Sequence, residues 1–283
     1  MSERITEIDV HSPLYPQEWK GLANAPEKIW AMGNKDLLTT RKITVVGSRT
    51  TPAQALKLGV NIAREISEIF TVVTGTADGG DSAAIEGALS GSGRVICLLA
   101  GGFSALPQGN AALMRKVAEK GLLLAMHPYD TPVRTFSYEY RNKLLAYLGE
   151  GVLVLGAAEK SGALITARYA RQAGKKIFAL PYAPNTFAGV GCNALIKSGA
   201  ALTESSADIL SAFGIERTEK KPQIALTADE EKTLAALREL SESHANELAQ
   251  KTGVPIFKLR AVLSALEVKG LAVSVGGNVY KPV

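Results

Sequence analysis

The stretch TVVGSRTTPAQALKLG, Thr44 to Gly59, joins a short apolar run to a helical pattern that Pro52 opens. Gly47, Ser48 and Arg49 lie at the joint. An apolar strand that ends in a glycine turn just before a helix is typical of a parallel sheet covered on both faces. A free helix start also offers N–H groups to an anion, and an arginine adds a fork of donors suited to phosphate.

The same strand-then-helix pattern repeats along the following 150 or so residues. The apolar runs that we interpret as strands are ITVVGS, TVVTG, RVICLLAGG, LLLAM, GVLVLGA and KKIFALP. Amphipathic or small-residue helical patterns separate them. The chain therefore predicts a doubly wound, Rossmann-like α/β domain over residues 41–211, with right-handed crossovers.

The rest of the chain predicts three further segments. Residues 1–40 are expected to form an N-terminal extension that packs on the core through Trp19 and Trp30, and residues 212–226 a polar linker. Residues 227–283 contain three helical patterns and a hairpin that turns at Gly276-Gly277-Asn278. Helices followed by a two-stranded wing predict a C-terminal winged-helix domain. Its apolar residues at helical spacing are expected to be core: Leu259, Val262, Leu263 and Leu266.

Composition excludes several classes of protein. The 283-residue chain has a net charge of +5 and only two cysteines, too few for a disulfide framework or a zinc cage. No apolar run is long enough for a membrane span and no signal peptide is evident. We therefore expect a cytoplasmic protein that does not bind a membrane. Between Val133 and Lys197 nine basic residues face three acidic ones, a net charge of +6 that favours a phosphate-bearing partner.

Ligands of such sheets bind beyond the carboxyl ends of the strands, where several loops of this chain should converge. In TGTADGGD, Gly75 belongs to a tight loop and Asp81 either caps the next helix or orders its neighbours. The segment FSYEYRNKLLA mixes aromatic and basic side chains, a composition suited to single-stranded nucleic acid. The candidate residues from this segment and the loops are Gly47, Ser48, Arg49, Gly75, Asp81, Arg134, Phe136, Tyr138, Arg141, Asn142, Lys143, Ser161 and Gly162.

Motifs for other chemistry do not occur. No G-x-G-x-x-G fingerprint follows the first strand, which argues against an NAD enzyme, and no Walker A sequence is present. His11, His127 and His244 lie in separate segments without the spacing of metal ligands. We therefore expect no cofactor, no metal and no catalytic residues.

Taken together, the motifs YPQEW, VVGSR, VVTGTADGGDSAAIEGAL, YEYRNKLLA, SGALITARYARQAGKKIFALP and GCNALIKSGA resemble the DNA-processing protein A (DprA, or Smf) family. The resemblance implies a dimer that binds single-stranded DNA, protects it and loads the RecA recombinase on it during natural transformation. It implies that Arg49 holds the strand, that residues 134–143 contact bases and phosphates, and that Asn110 lies in a binding loop.

The chain departs from the family pattern in several loops. Ile85 stands where the family has histidine, Leu106 replaces the tyrosine of a Tyr-Pro pair, Gly156 replaces glutamate, and Tyr182 follows Pro181 where glycine is usual. Two other functions therefore stay open, namely a nucleotide-sensing module and a nucleoside-monophosphate phosphoribohydrolase. The winged helix is expected to serve a protein contact or an auxiliary role, because its third helix offers few basic residues.

Overall fold

The fold was analysed in a computed structural model that describes residues 5–106, 108–216 and 226–283. Pro107 and most of the predicted linker 212–226 lie outside the described residues. The chain separates into two compact units, Met1–Arg217 and Thr218–Val283, and each is described by itself. The exact domain boundaries given above stay predictions.

The first unit is built on a nine-stranded sheet in the order β1-β2-β6-β5-β4-β3-β7-β8-β9. The strands β6-β5-β4-β3-β7-β8-β9, seven in all, are parallel to one another. At the β6 edge, β2 pairs antiparallel with β6, and β1 pairs antiparallel with β2. This confirms the predicted Rossmann-like α/β fold. The strands are β1 (Thr6–Asp9), β2 (Lys28–Gly33), β3 (Lys42–Val46), β4 (Thr71–Thr74), β5 (Val95–Leu98), β6 (Leu122–Ala125), β7 (Gly151–Val154), β8 (Lys176–Ala179) and β9 (Ala201–Leu202).

Helices cover both faces of the sheet, as the uninterrupted apolar strands require. Helices α1, α2, α3 and α7 share one buried cluster, and α4, α5 and α6 share the other. Their bounds are α1 (Ala53–Ile66), α2 (Gly80–Ser90), α3 (Ala111–Lys120), α4 (Thr135–Leu148), α5 (Gly162–Gln172), α6 (Val190–Lys197) and α7 (Ser206–Ala212).

The N-terminal segment does more than pack on the core, because β1 and β2 extend the sheet itself. Sequence analysis assigned no strands there. Trp19 is fully buried and its Nε1 donates to the carbonyl of Leu144 at 3.0 Å. The Tyr15 hydroxyl donates to Pro26 O at 2.7 Å. Both bonds satisfy the polar ends of large buried rings. The Trp19 bond ties the segment to α4, and the Tyr15 bond holds the segment together internally.

The strand order reverses between β3 and β7, which places the ends of these two strands side by side. The Ser48 amide donates to Gly156 O at 2.8 Å just beyond them. A reversal of this kind opens a crevice at the carboxyl edge of a parallel sheet. The topology therefore brings the loops that follow β3 and β7 to one place.

The second unit consists of α8 (Ala228–Leu240), β10 (Ser243–His244), α9 (Ala245–Thr252), α10 (Ile256–Val268), β11 (Ala272–Gly276) and β12 (Val279–Pro282). The three strands pair in the order β10-β12-β11. Gly277 and Asn278 adopt φ of 58° and 61°, as a two-residue hairpin turn requires. The four predicted core residues of α10 are buried. Together these features confirm the winged helix.

Two of the three basic residues expected on α10 or just after it are engaged within this unit. Lys258 Nζ lies 2.7 Å from Asp229, and Lys269 Nζ lies 2.7 Å from Glu230. Arg260 is exposed. Ion pairing of this kind leaves little positive charge on the helix that would enter a DNA groove.

Candidate nucleic-acid interface

A cavity of about 630 Å³ lies at the carboxyl edge of the sheet, beside the reversal of strand order. We call it the switch-point cavity. Nine of the predicted site residues line it, namely Gly47, Ser48, Arg49, Asp81, Tyr138, Arg141, Asn142, Ser161 and Gly162. The other five, Gly75, Asn110, Arg134, Phe136 and Lys143, are not among its lining residues.

The loop after β3 meets the start of α2 backbone to backbone. A Cβ added to Gly80 would lie 2.2 Å from the Cα of Gly47, and one added to Gly47 would lie 2.9 Å from the Cα of Gly80. Gly79 has φ of +82° and packs against the backbone of Ser48 and Arg49. Glycine is thus required at positions 47 and 80 for the close contact between these two loops, whether or not a ligand also approaches the backbone there.

Arg49 is exposed at the mouth of the switch-point cavity. Within the described residues it takes part in no ion pair, so its guanidinium is available to an anion from outside the chain. The backbone beneath it is fixed, because Gly80 N–H donates to Ser48 O at 3.4 Å and the Thr51 hydroxyl donates to the same carbonyl at 2.8 Å. A fixed backbone with a free cation suits the role that the sequence predicts for Arg49.

Asp81 and Arg141 form the buried floor of the cavity, and each is only 5% exposed. Both side chains approach Gly75 on the side where any other residue would carry its Cβ. A Cβ added there would lie 2.2 Å from Arg141 Nη1 and 2.3 Å from Asp81 Oδ2. The interpretation of Asp81 as an N-cap is wrong, because Gly79 occupies that position and Asp81 is the second residue of α2. Asp81 instead accepts from the Ala77 amide at 3.2 Å, which orders the preceding loop.

Burial controls the ionisation of this pair. Desolvation raises the pKa of Asp81, while the neighbouring Arg141 charge and the amide donors oppose that rise. Desolvation also lowers the pKa of Arg141, and the Asp81 charge opposes that change. Each group therefore depends on the other to remain charged in a site from which water is excluded.

Arg141 and Asn142 connect three elements around the cavity. Arg141 Nη1 donates to Leu98 O at 3.1 Å and its Nε donates to Asn142 Oδ1 at 2.9 Å. Asn142 Nδ2 in turn donates to Gly162 O at 3.3 Å. Because these donors are used inside the protein, the two residues position the end of β5 and the start of α5 rather than reach outward.

The start of α5 faces the cavity. The Ser161 hydroxyl accepts from the Ala163 amide at 3.3 Å and caps the helix. One turn further, the Thr166 hydroxyl is buried, at 1% exposure of the residue, and has no hydrogen-bond partner in the described structure. Thr166 also lines the cavity. A capped helix start beside an unpaired hydroxyl is a site prepared for an anion or a polar ligand.

The predicted residues outside the cavity have other contacts. Asn110 Nδ2 donates to Asp78 Oδ1 at 2.9 Å and to Ser82 Oγ at 3.2 Å, which holds the loop after β4. Lys143 Nζ donates to Ala23 O at 3.3 Å and so faces the N-terminal segment. Arg134 is exposed and precedes α4, where its amide donates to Ser137 Oγ at 3.2 Å.

The aromatic residues of α4 divide between solvent and protein. Phe136 is 65% exposed and Tyr138 is 45% exposed, and only Tyr138 lines the cavity. Tyr140 packs against the buried cluster and donates its hydroxyl to Asn24 O at 2.7 Å. Of the three rings, Tyr140 therefore packs inward, while Phe136 and Tyr138 remain exposed.

Sequence reasoning missed several cavity residues, among them Thr50, Lys160 and Phe187. Lys160 directly precedes Ser161 and Gly162, so the helix-start pattern that identified those two residues could also have identified Lys160. Phe187 lies in the loop after β8, where no periodic pattern pointed to a role. The exposed charged residues of the cavity are Arg49, Lys160 and Glu159. Because the charges of the buried Asp81 and Arg141 cancel, the net charge of the cavity lining is positive.

Within the described ranges, no cluster of metal-ligating side chains occurs. In the same ranges, none of the helices has the length and hydropathy to cross a bilayer.

The geometry defines a class of protein, a Rossmann-like α/β unit with a positively charged switch-point cavity that is followed by a winged helix. The chain belongs to the DNA recombination-mediator protein A family, whose model matches residues 6–214, and the DprA winged helix domain model matches residues 217–278.

Curated relatives agree with this assignment. The DNA processing protein DprA of Bacillus subtilis is 34% identical over 209 residues, which covers 72% of this chain and 70% of the relative. Protein Smf of Escherichia coli is 28% identical over 283 residues, which covers 96% of this chain and 76% of that protein.

Solved structures of the family superimpose on about three quarters of the chain. DprA of Streptococcus pneumoniae matches with a TM-score of 0.70 and 30% identity, over 74% of this chain and 76% of that one. DNA processing protein A of Helicobacter pylori, whose structure was solved for its single-stranded DNA binding mode, matches with a TM-score of 0.68 and 26% identity. That match covers 74% of this chain and 95% of the other.

Proposed function

We propose that the chain binds single-stranded DNA in the switch-point cavity. The observation that carries the proposal is the position of Arg49, an exposed cation without an ion pair in the described residues, in the same cavity as the start of α5. A guanidinium and a helix N-terminus both bind phosphate groups well. The unpaired hydroxyl of Thr166 adds a further polar group at this point.

Two further features favour a single strand over a free mononucleotide. Aromatic side chains stand at the cavity and beside it, as in proteins that stack successive bases of a strand. The structure of the H. pylori relative, which has the same fold, describes a single-stranded DNA binding mode. The proposal involves no group transfer, so its expected signature is affinity and salt dependence rather than turnover.

The wider role that we propose is recombination mediation during natural transformation, in which a cytoplasmic homodimer of this chain protects incoming single strands and loads RecA on them. The family description as a recombination mediator supports this role. It requires that the chain deliver a bound strand to a second protein, so binding at the switch-point cavity must be reversible under the conditions in which RecA assembles.

Fluorescence anisotropy with a labelled oligothymidylate tests the binding site. Arg49→Ala should weaken binding and lower the slope of log K against log salt by about 0.7, the contribution of one phosphate contact on a single strand. Arg115→Ala, an exposed arginine on α3 outside the cavity, is the matched control and should leave both unchanged. Equal affinity and slope for wild type and Arg49→Ala would place the strand elsewhere.

A nucleation assay tests the wider role. RecA filament growth on strands coated with single-strand-binding protein should start sooner when this chain is present, and Arg49→Ala should lose the effect. Sedimentation of the free protein checks for the dimer. Strand binding without any change in RecA nucleation would limit the function to DNA binding.

A further inference from the structure

Phe187 is a large aromatic residue exposed at the wall of the switch-point cavity. It is 71% exposed and begins the short 3-10 turn Phe187–Gly189 that leads into α6. Nothing in the sequence pattern singled it out. An apolar ring that stays in solvent next to positively charged groups is typical of a surface that binds a ligand with both an apolar face and a negative charge.

The backbone under Phe187 is held firmly. Ala157 N–H donates to Ala188 O at 2.7 Å, and Gly191 N–H donates back to Ala157 O at 2.8 Å. The ring of Tyr182 occupies the space where a Cβ on Gly189 would lie, with its Cγ at 2.2 Å from that position. The turn is therefore fixed to the loop after β7, and the Phe187 ring is presented from a rigid support.

Phe187 and Tyr138 stand on two sides of the start of α5. On the α4 side, Asn142 bonds to Gly162 as described above. On the α6 side, Leu164 lies against Gly191, with its Cδ1 3.1 Å from the place of a Cβ there. Since α5 lies between α4 and α6, an anion at the start of α5 would have one exposed ring on either side.

We propose that Phe187 is a base-stacking residue, on which a nucleobase of the bound strand lies while the adjoining phosphate contacts Arg49 and the α5 start. This inference rests on the proposed function and adds a residue to it. Stacking on an aromatic ring suits every base, because each presents a π face. The rigid turn lowers the entropy lost when the ring engages a base.

The test compares an intact oligothymidylate with an abasic oligonucleotide of equal length, which keeps the phosphates and removes the bases. Phe187→Ala should bind the intact strand about tenfold more weakly, within the range measured for base–aromatic stacking. It should bind the abasic strand as wild type does. Phe187→Trp should retain the affinity for the intact strand, because its ring also stacks.

Phe257→Ala is the matched control, an exposed phenylalanine of α10 at 79% exposure that lies in the second unit. It should change neither affinity. If Phe187→Ala equals wild type on the intact strand while Arg49→Ala binds weakly, the stacking role is wrong and the proposed function stands. Equal losses on both strands would show a structural role for the ring, and failure of wild type to bind the intact strand would overturn both proposals.

Discussion

The guanidinium of Arg141 and the carboxylate of Asp81 are buried together against Gly75, in a place where a methyl group would contact both. The family resemblance implies that Arg141 is among the residues that contact DNA. Its hydrogen bonds to Leu98 and Asn142 instead make it a support for the cavity floor. Arg49, in contrast, is exposed and takes part in no ion pair within the described residues, so the two arginines should respond differently to substitution.

Removal of Arg141 should destabilise the fold before it affects any ligand. Arg141→Ala leaves the Asp81 carboxyl buried beside no cation, and loss of one partner of a buried pair costs about 3–5 kcal/mol. Chemical denaturation followed by tryptophan fluorescence measures the loss, because Trp19 and Trp30 both lie in the first unit. The double variant with Asp81→Asn should recover part of the stability. Wild-type stability in Arg141→Ala would contradict the coupling.

Gly75→Ala should also destabilise the first unit, because its Cβ would meet Arg141 Nη1 and Asp81 Oδ2 at the distances given above. One or both side chains would have to shift, which disturbs their packing and weakens the electrostatic interaction between them. Gly109→Ala is the control, since a Cβ there has no atom within 4 Å and the backbone φ is not positive. Thermal unfolding should show a lower midpoint for the first variant alone, and equal midpoints would count against the close contact.

The winged helix should lose stability as the pH falls. Two hydrogen bonds, one from the Lys269 side chain and one from the Thr227 amide, lower the pKa of Glu230 below its ordinary value of 4.5. The unfolded chain therefore takes up a proton at higher pH than the folded chain, so this contribution is present above pH 4.5 and is lost as the pH falls through the folded pKa.

Hydrogen exchange of the α8 amides, from pH 6 down to about 3, tests this linkage. Wild type should lose protection with acid more steeply than Glu230→Gln, in which the side chain no longer titrates. Glu231→Gln, an exposed neighbour on the same helix, should behave as wild type does. Parallel curves for wild type and Glu230→Gln would show that another group controls the acid response.

The central sheet could be predicted because β3 to β8 are short, continuous apolar runs between helical patterns, a signal that burial on both faces produces. Strands β1 and β2 could not. TEID and KIWAMG carry charged or exposed residues, since they form the antiparallel edge of the sheet, and their pairing depends on tertiary contacts such as that of Trp19 with α4.

The sequence predicted which loops form the site, but not what each side chain does there. Helix starts and strand ends follow from the sequence, so Arg49 and Ser161 were found. Whether an arginine faces solvent or a buried carboxylate depends on helix packing, which separated Arg49 from Arg141. Lys143 faces Ala23 because α4 contacts the N-terminal segment on that side, and the sequence alone does not show which segment covers a helix face.

Truncation after residue 216 should leave a folded protein that still binds oligonucleotides. The first unit contains both large buried clusters and the whole switch-point cavity, whereas the second has its own core. Circular dichroism and anisotropy should report a cooperative fold with an affinity within about threefold of the full chain, since Lys258 and Lys269 of the second unit are already ion-paired. Loss of binding by the folded fragment would show that the winged helix contributes to the site.

Lys143, a predicted site residue, and Lys160, which precedes Ser161, should differ in their effect on DNA binding. Lys160 is exposed at the cavity beside the start of α5, while Lys143 donates to a backbone carbonyl on the far side of α4. Lys160→Ala should therefore weaken oligonucleotide binding about twofold to tenfold and reduce its salt dependence, because one phosphate contact is lost. Lys143→Ala should leave affinity and salt dependence unchanged, and its cost should appear only as a small fall in thermal midpoint. Anisotropy titrations of both variants at 50 and 200 mM salt decide the matter, and a larger loss for Lys143→Ala would move the strand from the cavity to the surface of α4 and the N-terminal segment.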